Sequence, residues 1–136
     1  MSRNGAWIGC DLDGTLAEHY WSKPGGAPYD ELLIGKPIMP MVRRVRIWLA
    51  AGAEVRVFTA RVGPHGSAPG FAVNLAPIHR AINTWTKEHI GTALEATCTK
   101  DYHLIELWDD RAVRVIMDEG VPCCTHAELS RQGHRF

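Results

Sequence analysis

Short apolar runs alternate with segments of helical periodicity along the chain, and each pattern predicts a secondary-structure element. Trp7–Cys10 is apolar and ends abruptly at an acidic residue, as expected of a buried strand in a parallel sheet. β-Branched and aromatic residues, which favour strands, recur in four further runs. These predicted strands are residues 54–59, 94–99, 104–108 and 113–117.

Two longer segments repeat apolar residues at helical spacing. The first begins near Pro40 and is followed by Gly52, and the second begins near Pro77 and is followed by Gly91. Proline suits the first turn of a helix and glycine suits its end, so both boundaries are typical of helices. This alternation of strands and helices predicts an α/β fold, a Rossmann-like three-layer sandwich with a mainly parallel sheet.

The composition is that of one soluble globular domain. The chain has 136 residues, which fit a single domain (1–136), and they are 46% hydrophobic and 22% charged. Fifteen basic residues balance fifteen acidic ones, so no overall field favours nucleic acid or an anionic membrane. Acidic residues follow the N-terminal apolar run before it reaches the length of a signal peptide or membrane span, and we expect a cytoplasmic protein with reduced cysteines. The tail, residues 121–136, has no clear pattern.

The sequence directly after the first predicted strand is DLDGT, at residues 11–15. Because alternate residues of a strand point to the same side, Asp11 and Asp13 share one pocket while Leu12 points into the core. Gly14 allows a tight turn where a ligand approaches, and Thr15 adds a hydroxyl. An EF-hand calcium loop starting at Asp11 is excluded, because leucine and serine stand at positions 16 and 22, where it needs glycine and glutamate.

Three other predicted strand ends carry complementary groups. Thr59 ends the second strand, Lys100 follows the third, and Asp109 and Asp110 follow the fourth. In a parallel sheet the carboxyl ends of the strands lie side by side, so these groups and the DLDGT carboxylates converge on one crevice. Carboxylates, a hydroxyl and an ammonium together predict a site for a phosphate and a metal ion.

In these four motifs the chain resembles the haloacid dehalogenase superfamily of phosphohydrolases. The signature of that family is a DxDGT strand end, a strand-end threonine or serine, a lysine and a paired acidic motif, and all four occur in this order over residues 7–118. The first and fourth motifs are specific, whereas a strand-end threonine and a single lysine are common. The resemblance implies a haloacid-dehalogenase-like fold and a phosphatase that hydrolyses a phosphomonoester.

The resemblance also implies roles for the acidic residues. Asp11 attacks phosphorus to form an aspartyl-phosphate that water then hydrolyses, and Asp13 acts as the general acid and base. Mg²⁺ is held by the Asp11 carboxylate, the Asp13 backbone carbonyl and the Asp110 carboxylate, with Asp109 as a further ligand or as a neighbour of the ligands. Many relatives have another acid four residues after the metal aspartate; Arg114 stands there, and Asp109 could replace that acid.

The same family pattern assigns the phosphate contacts. Thr59 and the backbone N–H of Ala60 are expected to bind the phosphoryl oxygens, while Lys100 neutralises the transferring group. Arg61 is a candidate contact for a second phosphate or a substrate carboxylate, and the alternative is a surface arginine without a role in the site.

The chain is too short for the cap domain that selects substrates in many relatives, and it resembles the capless subgroup. Residues 17–39 can form only a flap and residues 61–76 only a loop, which predicts an open crevice. Such a site admits macromolecular phosphates such as polynucleotide ends or phosphoproteins, unless a neighbouring subunit of a homo-oligomer covers it. A nucleotide or a polynucleotide end is the preferred substrate class. His19, Tyr20 and Trp21 of the flap either stack on a substrate ring or only pack the flap.

Two other functions remain compatible with these residues. A non-catalytic phosphate-binding or regulatory module would keep the fold and the metal, although the intact Asp11 and Asp13 argue against it. A phosphotransferase would share the aspartyl-phosphate, but it needs a site that excludes water better than a short flap can.

Overall fold

The computed structural model describes residues 5–64 and 74–123, in which strands and helices alternate and form an α/β fold. In chain order the elements are β1 (Trp7–Cys10), α1 (Met39–Ala50), β2 (Glu54–Phe58), α2 (Ala76–Ile90), β3 (Ala96–Thr97) and β4 (Leu104–Trp108). Single 3-10 turns lie at Tyr20–Ser22 and Ala60–Val62. Pro40 and Pro77 lie in the first turns of the helices, as predicted.

The four strands form one sheet in the order β3-β2-β1-β4, and every pairing is parallel. β1 lies inside the sheet, where Cys10 pairs with Val57 of β2 and with Trp108 of β4. All four residues of β1 are buried, as expected of an inner parallel strand. The parallel pairing brings the carboxyl ends of β1, β2 and β4 to the same edge of the sheet.

Both helices pack on the same face of the sheet. Side chains on paired residues of parallel strands point the same way, so Ile8 and Val55 share a face. This face forms one apolar cluster with Val42 of α1 and Ile82 of α2. The described ranges therefore contain two layers, because α1 and α2 pack against each other instead of covering opposite faces. The expected three-layer sandwich is not seen in this part of the chain.

The other face of the sheet is covered in part by the side chain of Trp7. The Trp7 ring lies 6.4 Å from the Phe58 ring and 4.6 Å from the guanidinium of Arg56. Its Nε1 donates a hydrogen bond to Asp101 Oδ1 at 2.8 Å, so the buried indole has a polar partner. The residue after it on this face, Gly9, leaves room for the ring, because a Cβ at Gly9 would lie 3.2 Å from Trp7.

Two predicted strands differ from the structure. The third is only Ala96–Thr97 instead of residues 94–99. Residues 113–117 do not join the sheet, because the chain reverses at Asp118 (φ 66°) and Val115 forms an antiparallel bridge with Pro122. The apolar alternation of this segment therefore belongs to a short exposed hairpin.

Thr86 joins α2 to the loop before β3 through a buried hydroxyl. It donates to the Ile82 carbonyl at 3.0 Å and accepts the Leu94 N–H at 2.9 Å. We expect Thr86→Val to lower the free energy of unfolding by about 1–3 kcal/mol, because the Leu94 N–H loses its partner inside the protein. Urea unfolding measures this, with the exposed Thr84→Val in the same helix as the control that stays within about 0.5 kcal/mol of wild type. Equal losses in the two variants would contradict the role of the hydroxyl.

Candidate functional site

The carboxyl edge of the sheet opens into a pocket of about 630 Å³. Because β1 pairs with β2 and with β4, the residues that follow β1 lie between those that follow its two neighbours. Six of the predicted site residues line the pocket: Asp11, Asp13, Thr59, Ala60, Arg61 and Asp109. The sheet thus brings together most of the groups that the sequence suggested.

Three carboxylates crowd together beside the DLDGT turn. One oxygen from each of Asp11, Asp109 and Asp110 lies within 4.8 Å of the other two. The Thr15 hydroxyl lies 3.3 Å from Asp11 Oδ2 and 3.2 Å from Asp110 Oδ1. Carboxylate oxygens are the ligands that hard divalent cations such as Mg²⁺, Mn²⁺ and Ca²⁺ prefer, so the cluster fits an ion of this class.

This crowding changes the acid–base properties of Asp11. Burial, a hydrogen bond with Asp110 and the charge of Asp109 raise the pKa of Asp11 to about 8. Without a cation, Asp11 therefore keeps its proton to a higher pH than an ordinary aspartate does. Burial and the charge of Asp11 also raise the pKa of the neighbouring Cys10 thiol to about 12, which keeps that thiol protonated.

Gly14 lets the Asp110 carboxylate approach the turn closely. Its φ is 92°, and a Cβ built at this position would lie 2.7 Å from Asp110 Oδ2. The Gly14 N–H closes the turn by donating to the Ala17 carbonyl at 2.8 Å. The predicted tight turn is confirmed, and Leu12 is fully buried as expected. The group that comes close to Gly14 is thus the side chain of Asp110, whereas the sequence suggested a ligand.

Arg61 binds both oxygens of Asp13. Arg61 Nε lies 2.8 Å from Asp13 Oδ2, and Arg61 Nη2 lies 2.8 Å from Asp13 Oδ1, which is bidentate geometry. Burial opposes the charge of the guanidinium, but the hydrogen bonds and charge of Asp13 raise the pKa of Arg61 above its ordinary value. Arg61 is only 3% exposed, so the alternative of a surface arginine is wrong. The two guanidinium donors that could have bound a substrate anion bind the Asp13 carboxylate instead.

Thr59 follows β2 and lies in the pocket wall as predicted. It is buried, and its hydroxyl oxygen accepts a hydrogen bond from the Arg61 N–H at 3.1 Å. The Thr59 O–H donates to no other group in the described part of the chain, which leaves it able to donate to a ligand oxygen. Ala60 lies next to it in the same wall.

Lys100 is not among the residues that line the pocket. β3 ends at Thr97, and Lys100 is exposed on the loop that leads to β4. Sequence reasoning missed Arg111, which does line the pocket and whose N–H donates to Asp109 Oδ1 at 2.8 Å. Its position next to the paired aspartates was the signal that could have identified it.

The flap, residues 17–39, forms one wall of the pocket, so the predicted open crevice is partly closed. At the base of the flap, Glu18 N–H donates to the Lys36 carbonyl at 2.8 Å and Trp85 Nε1 donates to the Gly35 carbonyl at 3.1 Å. The flap residues in the pocket wall are His19, Trp21 and Tyr29. Tyr20 points elsewhere, with its hydroxyl bonded to the backbone of Asp30.

Comparisons with protein-family models, with curated proteins and with solved structures found no match. Neither α1 nor α2, the α-helices of the described ranges, combines the length and the apolar character needed to cross a bilayer. The function is therefore inferred from the chemistry of the site.

The raised pKa of Asp11 predicts a pH-dependent stability. A carboxyl that binds its proton more tightly in the folded protein stabilises the fold at low pH, and this contribution is lost as the pH rises from about 4 to about 8. In metal-free buffer the free energy of unfolding of wild type should therefore fall over this range relative to Asp11→Asn. Millimolar Mg²⁺ should reduce the fall, because a cation favours the ionised cluster. If the free energies of unfolding of the two proteins, measured with urea, changed with pH in the same way, the raised pKa of Asp11 would be contradicted.

Gly14→Ala should weaken cation binding. The new methyl group would collide with the end of the Asp110 side chain, which is exposed and can swing away from the cluster. We expect at least about a tenfold loss of Mg²⁺ affinity, measured by calorimetry. Gly91→Ala is the matched control, because Gly91 also has a positive φ (100°) but has no atom within 4 Å of the added Cβ. Both variants should lose about 1–2 kcal/mol of stability, and equal cation affinities would count against the cluster as a metal site.

Proposed function

We propose that this chain is a magnesium-dependent phosphatase of the haloacid dehalogenase type, without a cap domain, that hydrolyses a phosphomonoester through an aspartyl-phosphate on Asp11. The observation that carries the proposal is the meeting of three strand ends at one pocket edge. They supply Asp11 and Asp13 after β1, Thr59 after β2, and Asp109 and Asp110 after β4. A nucleophile, a second carboxylate, a hydroxyl donor and a metal-binding group are the parts that this type of phosphoryl transfer needs.

The proposed reaction has two steps. An oxygen of the Asp11 carboxylate attacks phosphorus, the bond to the leaving oxygen breaks, and Asp13 gives that oxygen its proton. Asp13 then takes a proton from water, whose oxygen attacks phosphorus and releases inorganic phosphate and the Asp11 carboxylate. A protonated Asp13 can accept fewer hydrogen bonds, so the first step requires at least one of the bonds from Arg61 to loosen.

Mg²⁺ is the proposed cofactor, and the oxygen ligands would come from Asp11, Asp110 and the backbone carbonyl of Asp13. The ion supplies positive charge that favours the ionised Asp11 and offsets the charge of the phosphoryl group. Asp109 is the third carboxylate of the cluster, with an oxygen within 4.8 Å of an oxygen of each of the other two. This supports Asp109 as the replacement for the acid that is absent at Arg114.

The phosphoryl oxygens are proposed to bind the Thr59 hydroxyl and the Ala60 N–H. Lys100 remains the family-based candidate for the neutralising cation, and it would have to approach through a movement of the loop between β3 and β4. Arg111 is a second candidate, since it already lines the pocket. A pocket of about 630 Å³ is large enough for a nucleotide, which is the proposed substrate class together with polynucleotide ends.

Hydrolysis of an aryl phosphate with and without Mg²⁺ tests the proposed function. We expect magnesium-dependent turnover by wild type and a loss of at least about 10³-fold in kcat for Asp11→Asn, because the amide cannot form the covalent intermediate. Asp118→Asn is the matched control, since Asp118 lies on the exposed hairpin turn outside the pocket lining. Its kcat should equal that of wild type.

Two outcomes would contradict the proposal. Wild type that binds phosphate but turns over no member of a panel of nucleotides, 3′-phosphorylated oligonucleotides, sugar phosphates and phosphopeptides would favour a non-catalytic phosphate-binding module. Transfer of the phosphoryl group to an added alcohol in preference to water would favour a phosphotransferase.

A further inference from the structure

The flap tip, residues 19–33, is held together by contacts within itself. The Tyr20 hydroxyl accepts the Asp30 N–H at 2.8 Å and donates to the Asp30 carbonyl at 3.1 Å. The rings of Trp21 and Tyr29 pack edge to face, with centroids 4.7 Å apart. No residue of the tip is buried, so apolar packing contributes little to its position.

Arg61 makes the hydrogen bonds that join this tip to the body of the described domain. Its Nη1 donates to the carbonyls of Glu31 and Leu33 at 3.0 Å and to that of Asp30 at 3.4 Å. Apart from an ion pair between Lys23 and Glu18 at the flap base, no other hydrogen bond or ion pair links the tip to the remaining described residues.

The same guanidinium also contacts the rings of the tip. Its central carbon lies 5.6 Å from the centroid of Trp21 and 5.3 Å from that of Tyr29, within the range of a cation–π interaction. The guanidinium therefore contacts the flap tip in two ways, through hydrogen bonds from Nη1 and through cation–π contacts with the two rings. Removal of this one side chain would take away most of the polar attachment of the tip to the other described residues.

The other edge of the guanidinium holds Asp13. Arg61 Nε and Nη2 occupy both carboxylate oxygens of Asp13, each at 2.8 Å, while Nη1 is used by the flap. The donors of a guanidinium are fixed in one rigid plane. The group therefore cannot follow a movement of the flap tip without changing its bonds to Asp13.

We propose that Arg61 is a positioning residue that couples the position of the flap tip to the position of the Asp13 carboxylate. A substrate that fits beneath the tip keeps Asp13 in position, whereas one that pushes the tip away disturbs it. The catalytic meaning of this coupling rests on the proposed function, which makes Asp13 the acid and base. The coupling itself does not depend on turnover and can be measured without it.

Hydrogen–deuterium exchange of the flap-tip amides tests the coupling in metal-free protein. We expect Arg61→Ala to raise the exchange rates of residues 19–33 about tenfold or more, because several hydrogen bonds from a charged group are lost. Asp13→Ala should raise them as well, although Asp13 makes no hydrogen bond to the tip in the described structure. Without its carboxylate partner, the buried guanidinium loses the position from which it holds the flap.

Two variants serve as matched controls. Asp11→Asn changes another pocket carboxylate, one without a hydrogen bond to Arg61 among the described contacts. Arg56→Ala removes a partly buried arginine, which pairs with Glu54 away from the pocket lining. Both should leave exchange in the tip unchanged, and the amides of α1 report that each variant is folded.

The double variant and a chemical rescue sharpen the test. Arg61→Ala combined with Asp13→Ala should exchange no faster than Arg61→Ala alone, because both changes break the same link. Guanidinium ion at millimolar concentration should slow exchange in Arg61→Ala, whereas urea at the same concentration should not. If Arg61→Ala does not fold, Arg61→Lys replaces it, since an ammonium keeps the charge but not the fork of donors.

The outcomes separate this inference from the proposed function. Raised exchange in Arg61→Ala with unchanged exchange in Asp13→Ala would mean that Arg61 only anchors the flap, and would overturn the coupling; unchanged exchange in both would do the same. With an aryl phosphate, Arg61→Ala should lower kcat and guanidinium should restore it, and a change in KM alone would contradict the link to Asp13. Absence of turnover in wild type would count against the phosphatase and leave the exchange result intact.

Discussion

The position of β1 inside the sheet is the constraint on which the site depends. Parallel pairing with β2 and β4 fixes where the chain leaves the strand, and the buried residues of β1 hold that register. Asp11 and Asp13 therefore emerge between Thr59 on one side and the paired aspartates on the other. A strand at the edge of the sheet would have had only one of these neighbours, and the pocket would have lacked either its hydroxyl or its acidic cluster.

Two carboxylates separated by one residue meet opposite electrostatic surroundings. Asp11 faces Asp109 and Asp110, so its negative charge is disfavoured unless a proton or a cation is present. Asp13 faces a buried guanidinium that takes both of its oxygens. Two acids that are neighbours but one in the sequence therefore differ in their chemical properties because their surroundings differ. Leu12, the residue between them in the sequence, is fully buried in the core.

Local patterns in the sequence predicted the elements that local physics controls. The apolar run at Trp7–Cys10 and the proline and glycine at the helix ends identified β1, α1 and α2 because burial and backbone preference act over a few residues. Residues 113–117 were misassigned because the same alternation suits a sheet strand and a hairpin, and the turn at Asp118 decided between them. The packing of both helices on one face of the sheet could not be predicted either, since periodicity does not say which face of a sheet a helix covers.

The candidate site was predictable to the extent that strand ends determine it. Thr59 and Asp109 followed from their places after β2 and β4, and both line the pocket with Asp11. The partner of Arg61 could not be read from the sequence, because Asp13 is 48 residues away and the contact exists only once the flap folds over the pocket. Lys100 shows where strand-end reasoning stops: a motif position close to a strand end does not fix the direction of a loop.

The cysteines of the described chain differ sharply in their access to reagents. Cys10 is fully buried beneath Asp11, and its pKa of about 12 keeps it in the unreactive thiol form. Cys98 is exposed and belongs to the pocket wall. With Cys123 and Cys124 replaced by serine, a maleimide fluorophore would attach beside the pocket without touching the strand that carries Asp11. The protein thus has a native labelling position from which ligand entry can be followed optically.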